Sequence, residues 1–159
     1  MLEYKDEASP LIADFLRFMS LQCNRSDATV NEYYLDLRIF FRFIKRDRGA
    51  VDPDMPFEEI PINDIDLEFV RNIKKTDINN YVDFLRSERS IHHAHGGDSN
   101  GIGPAATQRK IACLKSLYNY LCERAGLLDS NPTIGVYEPR NRQSLPVYLS
   151  ENEVKRLLA

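Results

Sequence analysis

Apolar residues recur at the three- and four-residue spacing of a buried helical face in four stretches of this chain. No stretch shows the alternation of apolar and polar residues that a half-buried strand requires. Residues that commonly start helices stand before these stretches, namely Ser9, Ser26 or Asp27, Thr76, and Pro104. We therefore predict an all-α fold whose four main helices span residues 10–21, 27–46, 77–89 and 104–125.

The last of these helices combines an apolar stripe with a basic first half. The stripe consists of Ile111, Leu114, Leu117, Tyr118, Leu121 and Cys122. The polar positions near the start of the helix are Gln108, Arg109, Lys110 and Lys115. Because the free N–H groups at a helix N-terminus favour anions, basic side chains close to that end suit contact with a phosphate backbone.

The segments between the predicted helices differ in character. Residues 49–75 contain three prolines and read as an irregular connection, with one or two helical turns expected between Asp66 and Ile73. Residues 90–103 form a loop rich in glycine and histidine that we expect to have little regular structure. Residues 138–146 read as an extended basic linker before a capping box that starts at Ser150.

Composition limits the possible functions. The chain has 159 residues, a hydrophobic fraction of 43% and a net charge of −3, which argues mildly against a nucleic-acid partner. Residues 104–159 nevertheless hold eight basic and five acidic side chains, and affinity for DNA depends on local phosphate neutralisation. We expect no membrane span and no secretory signal. Three cysteines without metal-like spacing favour reduced thiols in a cytoplasmic protein.

Three motifs carry a resemblance to a known family. The run R-K-I-x-x-L-K-x-x-Y-x-Y-L at residues 109–121, followed by Asn131-Pro132, resembles the last long helix of the core-binding domain of tyrosine recombinases of the Xer and phage-integrase type. The run T-x-x-x-Y-x-x-D-L-x-x-F-x-x-F-I at residues 29–44 is similar to the second helix of that domain. The run L-P-x-x-L-S-x-x-E-V at residues 145–154 resembles the linker that enters the catalytic domain of the family.

The resemblance implies a domain organisation. Residues 1–136 would form a four-helix core-binding (SAM-like) bundle with long loops, residues 137–149 the interdomain linker, and residues 150–159 the first part of a catalytic domain. The chemistry of the family resides in that downstream domain, where a tyrosine attacks the phosphodiester. We therefore expect no catalytic activity from this chain and do not assign the nucleophile to Tyr118, Tyr120, Tyr137 or Tyr148.

The resemblance also implies a binding surface. In the family, the second and fourth helices of the domain cross near the major groove, and the linker passes across the duplex. By motif position, the candidate DNA-binding residues are Ser26, Thr29, Asn31, Arg38, Arg42, Thr107, Gln108, Arg109, Lys110, Lys115, Arg140 and Arg142. The implied partners are double-stranded DNA and other recombinase protomers on that DNA, with no cofactor, metal or small-molecule substrate.

Alternatives stay open for these residues. Any single arginine or lysine could be a solvated surface residue, Ser26 and Thr29 could serve only as caps, and Arg42 could pair with nearby acids such as Asp47. A functional rival is a helical protein–protein interaction module without a nucleic-acid role, which the negative net charge favours.

Two further clusters contain residues with possible chemical roles. His92, His93 and His95 could suggest zinc or nickel, but they lie in a glycine-rich loop without nearby cysteine, so we predict no metal site. The acidic group Asp64, Asp66 and Glu68 is expected to form a solvated face, although such a face could also meet a basic one on a neighbouring protomer.

Overall fold

The computed structural model describes residues 7–87 and 103–136 of the chain. These residues contain five α-helices, a 3₁₀ turn at Phe57–Glu59 and a π-helical turn at Tyr120–Arg124. The helices are α1 (Pro10–Leu21), α2 (Asp27–Asp47), α3 (Leu67–Arg71), α4 (Lys75–Ser87) and α5 (Pro104–Asn119). No strand occurs in the described residues, which confirms the predicted all-α class.

The first two helices begin where their caps predict. The Ser9 hydroxyl accepts a hydrogen bond from the Ile12 amide at 3.3 Å, and Pro10 occupies the first helical position. The Ser26 hydroxyl accepts one from the Thr29 amide at 3.2 Å. Ser26, the first of the two predicted alternatives, is therefore the N-cap of α2.

The start of α4 differs from the prediction. The helix begins at Lys75, so Thr76 lies inside its first turn and is not the cap. The carboxylate of Asp77 accepts a hydrogen bond from the Lys74 amide at 2.8 Å and thereby stabilises the start of the helix. The predicted end at residue 89 lies outside the described residues.

The last helix changes geometry before it ends. The α-helical hydrogen bonds stop at Asn119, and a π-helical turn follows, in which the Ala125 amide donates to the Tyr120 carbonyl at 2.8 Å. Gly126 then adopts a φ of 65°, the left-handed conformation that a side chain disfavours. The predicted stop at Gly126 is confirmed, whereas the single α-helix predicted up to residue 125 is wrong in its last turn.

The core is built around α2, which contacts α1, α4 and α5. Its completely buried apolar side chains include Leu37, Phe40, Phe41 and Ile44. Such wide burial explains why this helix carries apolar residues on more than one side. The predicted turn between residues 66 and 73 is confirmed by α3, which is capped by the Asp66 side chain.

The connection at residues 49–75 is more than a linker between helices. It buries five β-branched residues against the core, and its 3₁₀ turn and α3 fix their positions. These residues are Ile60, Ile62, Ile65, Val70 and Ile73.

None of the helices in the described part of the chain is long and apolar enough to cross a membrane.

Candidate nucleic-acid interface

Helices α2 and α5 cross in opposite directions and form one seam. Asp36 of α2 contacts Arg109 and Lys110 near the start of α5. Tyr33, which lies earlier in α2, accepts a hydrogen bond through its carbonyl from the Cys113 thiol, with Sγ and O 3.6 Å apart. The seam therefore contains two of the predicted DNA-binding residues, Arg109 and Lys110, and joins them to Asp36, which was not among the candidates.

Two of those candidates are buried, which corrects the sequence prediction. Thr107 is fully buried, and the side chain of Lys110 is only 7% exposed. The Lys110 ammonium lies 2.7 Å from Oδ1 of Asp36, whose side chain is 2% exposed. Both positions fall on the inward stripe that continues through Leu114 and Leu117, so helical periodicity turns them towards the core. Both side chains therefore face the core in this structure and not the solvent.

Arg109 has a different environment. Its side chain is 48% exposed, and its guanidinium donates to both carboxylate oxygens of Asp36 at 3.3 Å. It also lies 3.7 Å from a carboxylate oxygen of Glu32. Partial burial alone would lower the pKa of Arg109. The hydrogen bond to Asp36 and the negative charge of Asp36 outweigh that effect, so the pKa of Arg109 is raised. The cations Arg109 and Lys110 thus lie against the carboxylates of Asp36 and Glu32, so the positive and negative charges of the seam balance.

Gln108 and Lys115 lie on another side of α5. They are seven residues apart and so share one face, whereas Arg109 is turned about 100° from Gln108 towards α2. Both side chains are half-buried. The polar candidates of α5 therefore lie on different sides of the helix.

The candidates near the start of α2 are engaged in capping. The Ser26 hydroxyl, besides accepting from the Thr29 amide, donates to the Thr29 hydroxyl at 3.0 Å. Ser26 is exposed, and Thr29 and Asn31 are half-buried. Ser26 therefore caps the helix, and its exposed position also leaves it on the surface at the helix start.

Arg38 and Arg42 lie on the edge of α2 that faces away from the seam. Side chains two residues apart along a helix differ in direction by about 200°, so Arg38 and Asp36 lie on different sides of α2. Arg38 donates to the Glu7 carboxylate at 3.2 Å, with its guanidinium carbon 5.5 Å from the centre of the Tyr34 ring. Arg42 donates from Nε to the Ile60 carbonyl at 2.9 Å. Arg42 forms no ion pair with Asp47 in the described residues, and the acids whose charges act on it are Glu7 and Glu58.

Several expectations fall outside the described residues. Arg140, Arg142 and the rest of the linker lie there, as do His92, His93 and His95. In the part of the chain that the structure describes, no group of three potential ligands is placed to hold a metal ion.

The acidic residues Asp64, Asp66 and Glu68 are all exposed to solvent, as expected, and each carboxylate also has a partner in the structure. Asp64 pairs with the ammonium of Lys45, a buried residue of α2. Asp66 accepts from the Phe69 amide at 2.9 Å, and Glu68 pairs with Arg71 at 3.3 Å. Each carboxylate therefore has a separate structural partner.

Two tyrosines of the last helix pack as expected. Tyr118 is fully buried and donates to the Val70 carbonyl at 3.1 Å, and its burial raises the pKa of the hydroxyl. Tyr120 packs its ring on Phe15 and Phe18, with ring centres 5.6 and 4.9 Å apart. Both contacts hold the end of the helix against other elements, which is a structural role.

Comparison with known proteins places these helices in a family. No family model matches the chain, and no solved structure matches it. The chain is 37% identical over 149 residues to tyrosine recombinase XerC of Caldanaerobacter subterraneus subsp. tengcongensis, an alignment that covers 94% of this chain and 39% of the relative. It is 28% identical to tyrosine recombinase XerD of Listeria innocua, over 94% of this chain and 40% of the relative.

A third relative extends this similarity to another genus. Tyrosine recombinase XerC of Chlorobaculum tepidum is 28% identical, over 92% of this chain and 36% of the relative. The chain thus spans about 40% of the length of the curated relatives it matches, in their N-terminal part. By sequence, the chain belongs to the tyrosine recombinases of the Xer type, of which it matches the N-terminal part.

Proposed function

We propose that this chain is the DNA-binding N-terminal part of a site-specific tyrosine recombinase. Residues 1–136 would hold one side of a duplex half-site, and a catalytic domain beyond the linker at residues 137–149 would hold the other. The observation that carries the proposal is the similarity to XerC over 94% of the chain, at 37% identity. Strand breakage and rejoining are proposed for the whole recombinase and not for this part of it.

The exposed cations of α2 and α5 support this function. Arg109 is 48% exposed and Arg38 is 28% exposed, and each is held by carboxylates that a phosphate could replace. The forked donors of an arginine match two oxygens of a phosphate, and such contacts position a protein on a duplex without reading its sequence. Gln108 and Asn31 supply amide groups that suit an adenine edge.

The charge-balanced seam supports a second candidate, a helical protein–protein interaction module. Arg109 and Lys110 are neutralised by Asp36 and Glu32, so the crossing of α2 and α5 does not form a positive concavity. Neighbouring recombinase protomers are the partners that such a surface would serve within the same family. The two functions differ in whether the isolated chain retains duplex DNA.

A selection experiment separates them. The purified chain is incubated with a pool of randomised duplexes at low salt, and retained duplexes are amplified, reselected and sequenced. If the chain binds DNA, a shared sequence should be enriched among the retained duplexes. The variant Arg38→Gln/Arg109→Gln should enrich that sequence less strongly. The control variant Arg71→Gln, whose cation lies in α3, should enrich it as the unmodified chain does. Failure to retain any duplex at low salt would favour the interaction module.

A further inference from the structure

One carboxylate, that of Glu7, lies against a pair of arginines on the outer edge of α2. Arg38 and Arg42 are one helical turn apart and so share a face. Arg38 donates from Nη1 to Oε2 of Glu7 at 3.2 Å, and the Tyr34 hydroxyl donates to the same oxygen through a very short hydrogen bond. Glu7 thereby occupies the position where an anion would meet two donors from neighbouring turns of the helix.

The two arginines still offer a hydrogen-bond donor and positive charge to an anion. The Nε of Arg38 is shielded from solvent and has no hydrogen-bond partner among the residues that the structure describes. Arg42 uses its own Nε for the Ile60 carbonyl. Burial is the main cause that lowers the pKa of Arg42, and the charge of Arg38 adds to it, whereas the charge of Glu7 opposes both. A negative group beside the two arginines therefore stabilises the charge on Arg42.

Glu7 is positioned to leave this site without disturbing the fold. Its side chain is 54% exposed, and it precedes the N-cap of α1, so its displacement breaks no helical hydrogen bond. A surface ion pair of this kind contributes little to stability. The Arg38 and Tyr34 donors, in contrast, are fixed on the long helix α2.

The neighbouring surface limits where a ligand can approach. A cleft beside Arg42 is lined by Glu7, Glu58 and Glu59 and by residues 60–63. The charges of Glu58 and Glu59 repel a second negative charge. An anion is therefore favoured beside the arginines and not beside these glutamates, which suits a single phosphodiester of a backbone that passes over the edge of α2.

We propose that Arg38 and Arg42 form a phosphodiester subsite that Glu7 occupies until DNA binds, an inference that rests on the DNA-binding function proposed above. On binding, a backbone phosphate replaces the Glu7 carboxylate. The phosphate accepts from the Tyr34 hydroxyl and the Arg38 guanidinium, and Glu7 moves into solvent. Glu7 is thus an intramolecular competitor that lowers the affinity of the chain for a duplex.

The test is a double-mutant cycle read by fluorescence anisotropy with a labelled duplex of mixed sequence. Glu7→Gln should tighten binding about two- to five-fold, which is the range that corresponds to the loss of one exposed ion pair. In an Arg38→Gln/Arg42→Gln background the same substitution should leave binding unchanged. The matched control is Asp14→Asn, which removes an equally exposed carboxylate that pairs with Arg17 on α1.

The outcomes separate this inference from the function on which it rests. A gain from Glu7→Gln that persists without the two arginines, or that Asp14→Asn reproduces, would reflect overall charge and overturn the inference while DNA binding stands. Absence of duplex binding by every variant, including Glu7→Gln at low salt, would overturn the proposed function and the inference together. Circular dichroism of each variant checks that the helices remain folded.

Discussion

The Lys110 ammonium and the Asp36 carboxylate form an ion pair of 2.7 Å between α5 and α2, with both side chains more than nine-tenths buried. Removal of one partner from such a pair leaves an uncompensated charge in the interior. We expect Asp36→Ala to lower the free energy of unfolding by about 3–5 kcal/mol, measured by urea denaturation. Lys110→Met should cost less, because Arg109 remains bound to Asp36.

A double variant tests whether the pair acts as a unit. Asp36→Leu/Lys110→Met replaces both charges by apolar groups and should recover most of the stability that Asp36→Ala loses. The matched control is Glu32→Ala, an exposed carboxylate of α2 whose distance from Arg109 is 3.7 Å, and its effect should stay within about 0.5 kcal/mol. Equal losses from Asp36→Ala and Glu32→Ala would contradict the assignment of a buried pair.

The inward face of α5 gives a second prediction. Leu117 is fully buried, so Leu117→Ala should destabilise the fold by about 2–5 kcal/mol, because it removes apolar packing and leaves a cavity. Leu21 at the end of α1 is 73% exposed, and the chemically identical change Leu21→Ala should have an effect within about 0.5 kcal/mol. Thermal or chemical unfolding measures both. Similar losses of stability at the two positions would mean that α5 packs through a different face.

The three thiols should react in the order of their exposure. Cys23 is exposed, Cys122 is partly buried and Cys113 is buried. Burial raises the pKa of the Cys113 thiol, which keeps it protonated and therefore unreactive, since the thiolate is the nucleophile. Iodoacetamide at a mildly alkaline pH, followed by peptide mass spectrometry, should label Cys23 first and Cys113 only after denaturant is added. Labelling of Cys113 at the rate of Cys23 would show that α5 does not pack closely on α2.

Local sequence patterns were sufficient for much of the fold. Ser9 and Ser26 start their helices, and Gly126 stops the last one, because capping depends on residues within one turn. Burial of the apolar stripe on α5 likewise follows from its period of 3.6 residues. These features require no knowledge of which element packs against which.

The functional surface could not be predicted in the same way. Lys110 and Lys45 occupy inward positions, and each is buried because a carboxylate on a distant segment, Asp36 or Asp64, compensates its charge. Such partners are visible only after the chain has folded. The position of Lys110 on the apolar stripe, between Thr107 and Leu114, was the available signal for its burial.

Acidity should weaken the contact between Glu7 and α2. The Tyr34 hydrogen bond and the charges of Arg38 and Arg42 lower the pKa of Glu7 from its ordinary value of 4.5, although burial opposes them. A carboxylate whose pKa falls on folding contributes stability above its unfolded pKa and loses it as the pH drops through the folded value. The stability advantage of the unmodified chain over Glu7→Gln should therefore be present near pH 7 and diminish progressively as the pH falls below the ordinary pKa of 4.5.

Melting temperatures of the two proteins across this range measure the difference. The effect should stay within about 1 kcal/mol, because the Glu7 side chain is half-exposed and solvent screens its ion pair. A difference that is constant with pH would show that the hydrogen bonds of Glu7 do not depend on its charge.

The last prediction concerns the salt dependence of DNA binding. Arg109 is exposed at the seam, and Lys115 lies half-buried on another face of α5. If each neutralises a phosphate, Arg109→Gln/Lys115→Gln should reduce the slope of log affinity against log salt by about 0.9 for each phosphate that is no longer neutralised. Binding of the chain should itself be weak, because a net charge of −3 opposes its approach to DNA.

The matched control is Lys74→Gln/Lys75→Gln, which also removes two positive charges. It changes exposed residues at the start of α4 and should leave the slope nearly unchanged. Titration of one labelled duplex at several salt concentrations gives both slopes. Equal reductions from the two double variants would mean that only overall charge matters, and α5 would then have to be removed from the proposed interface.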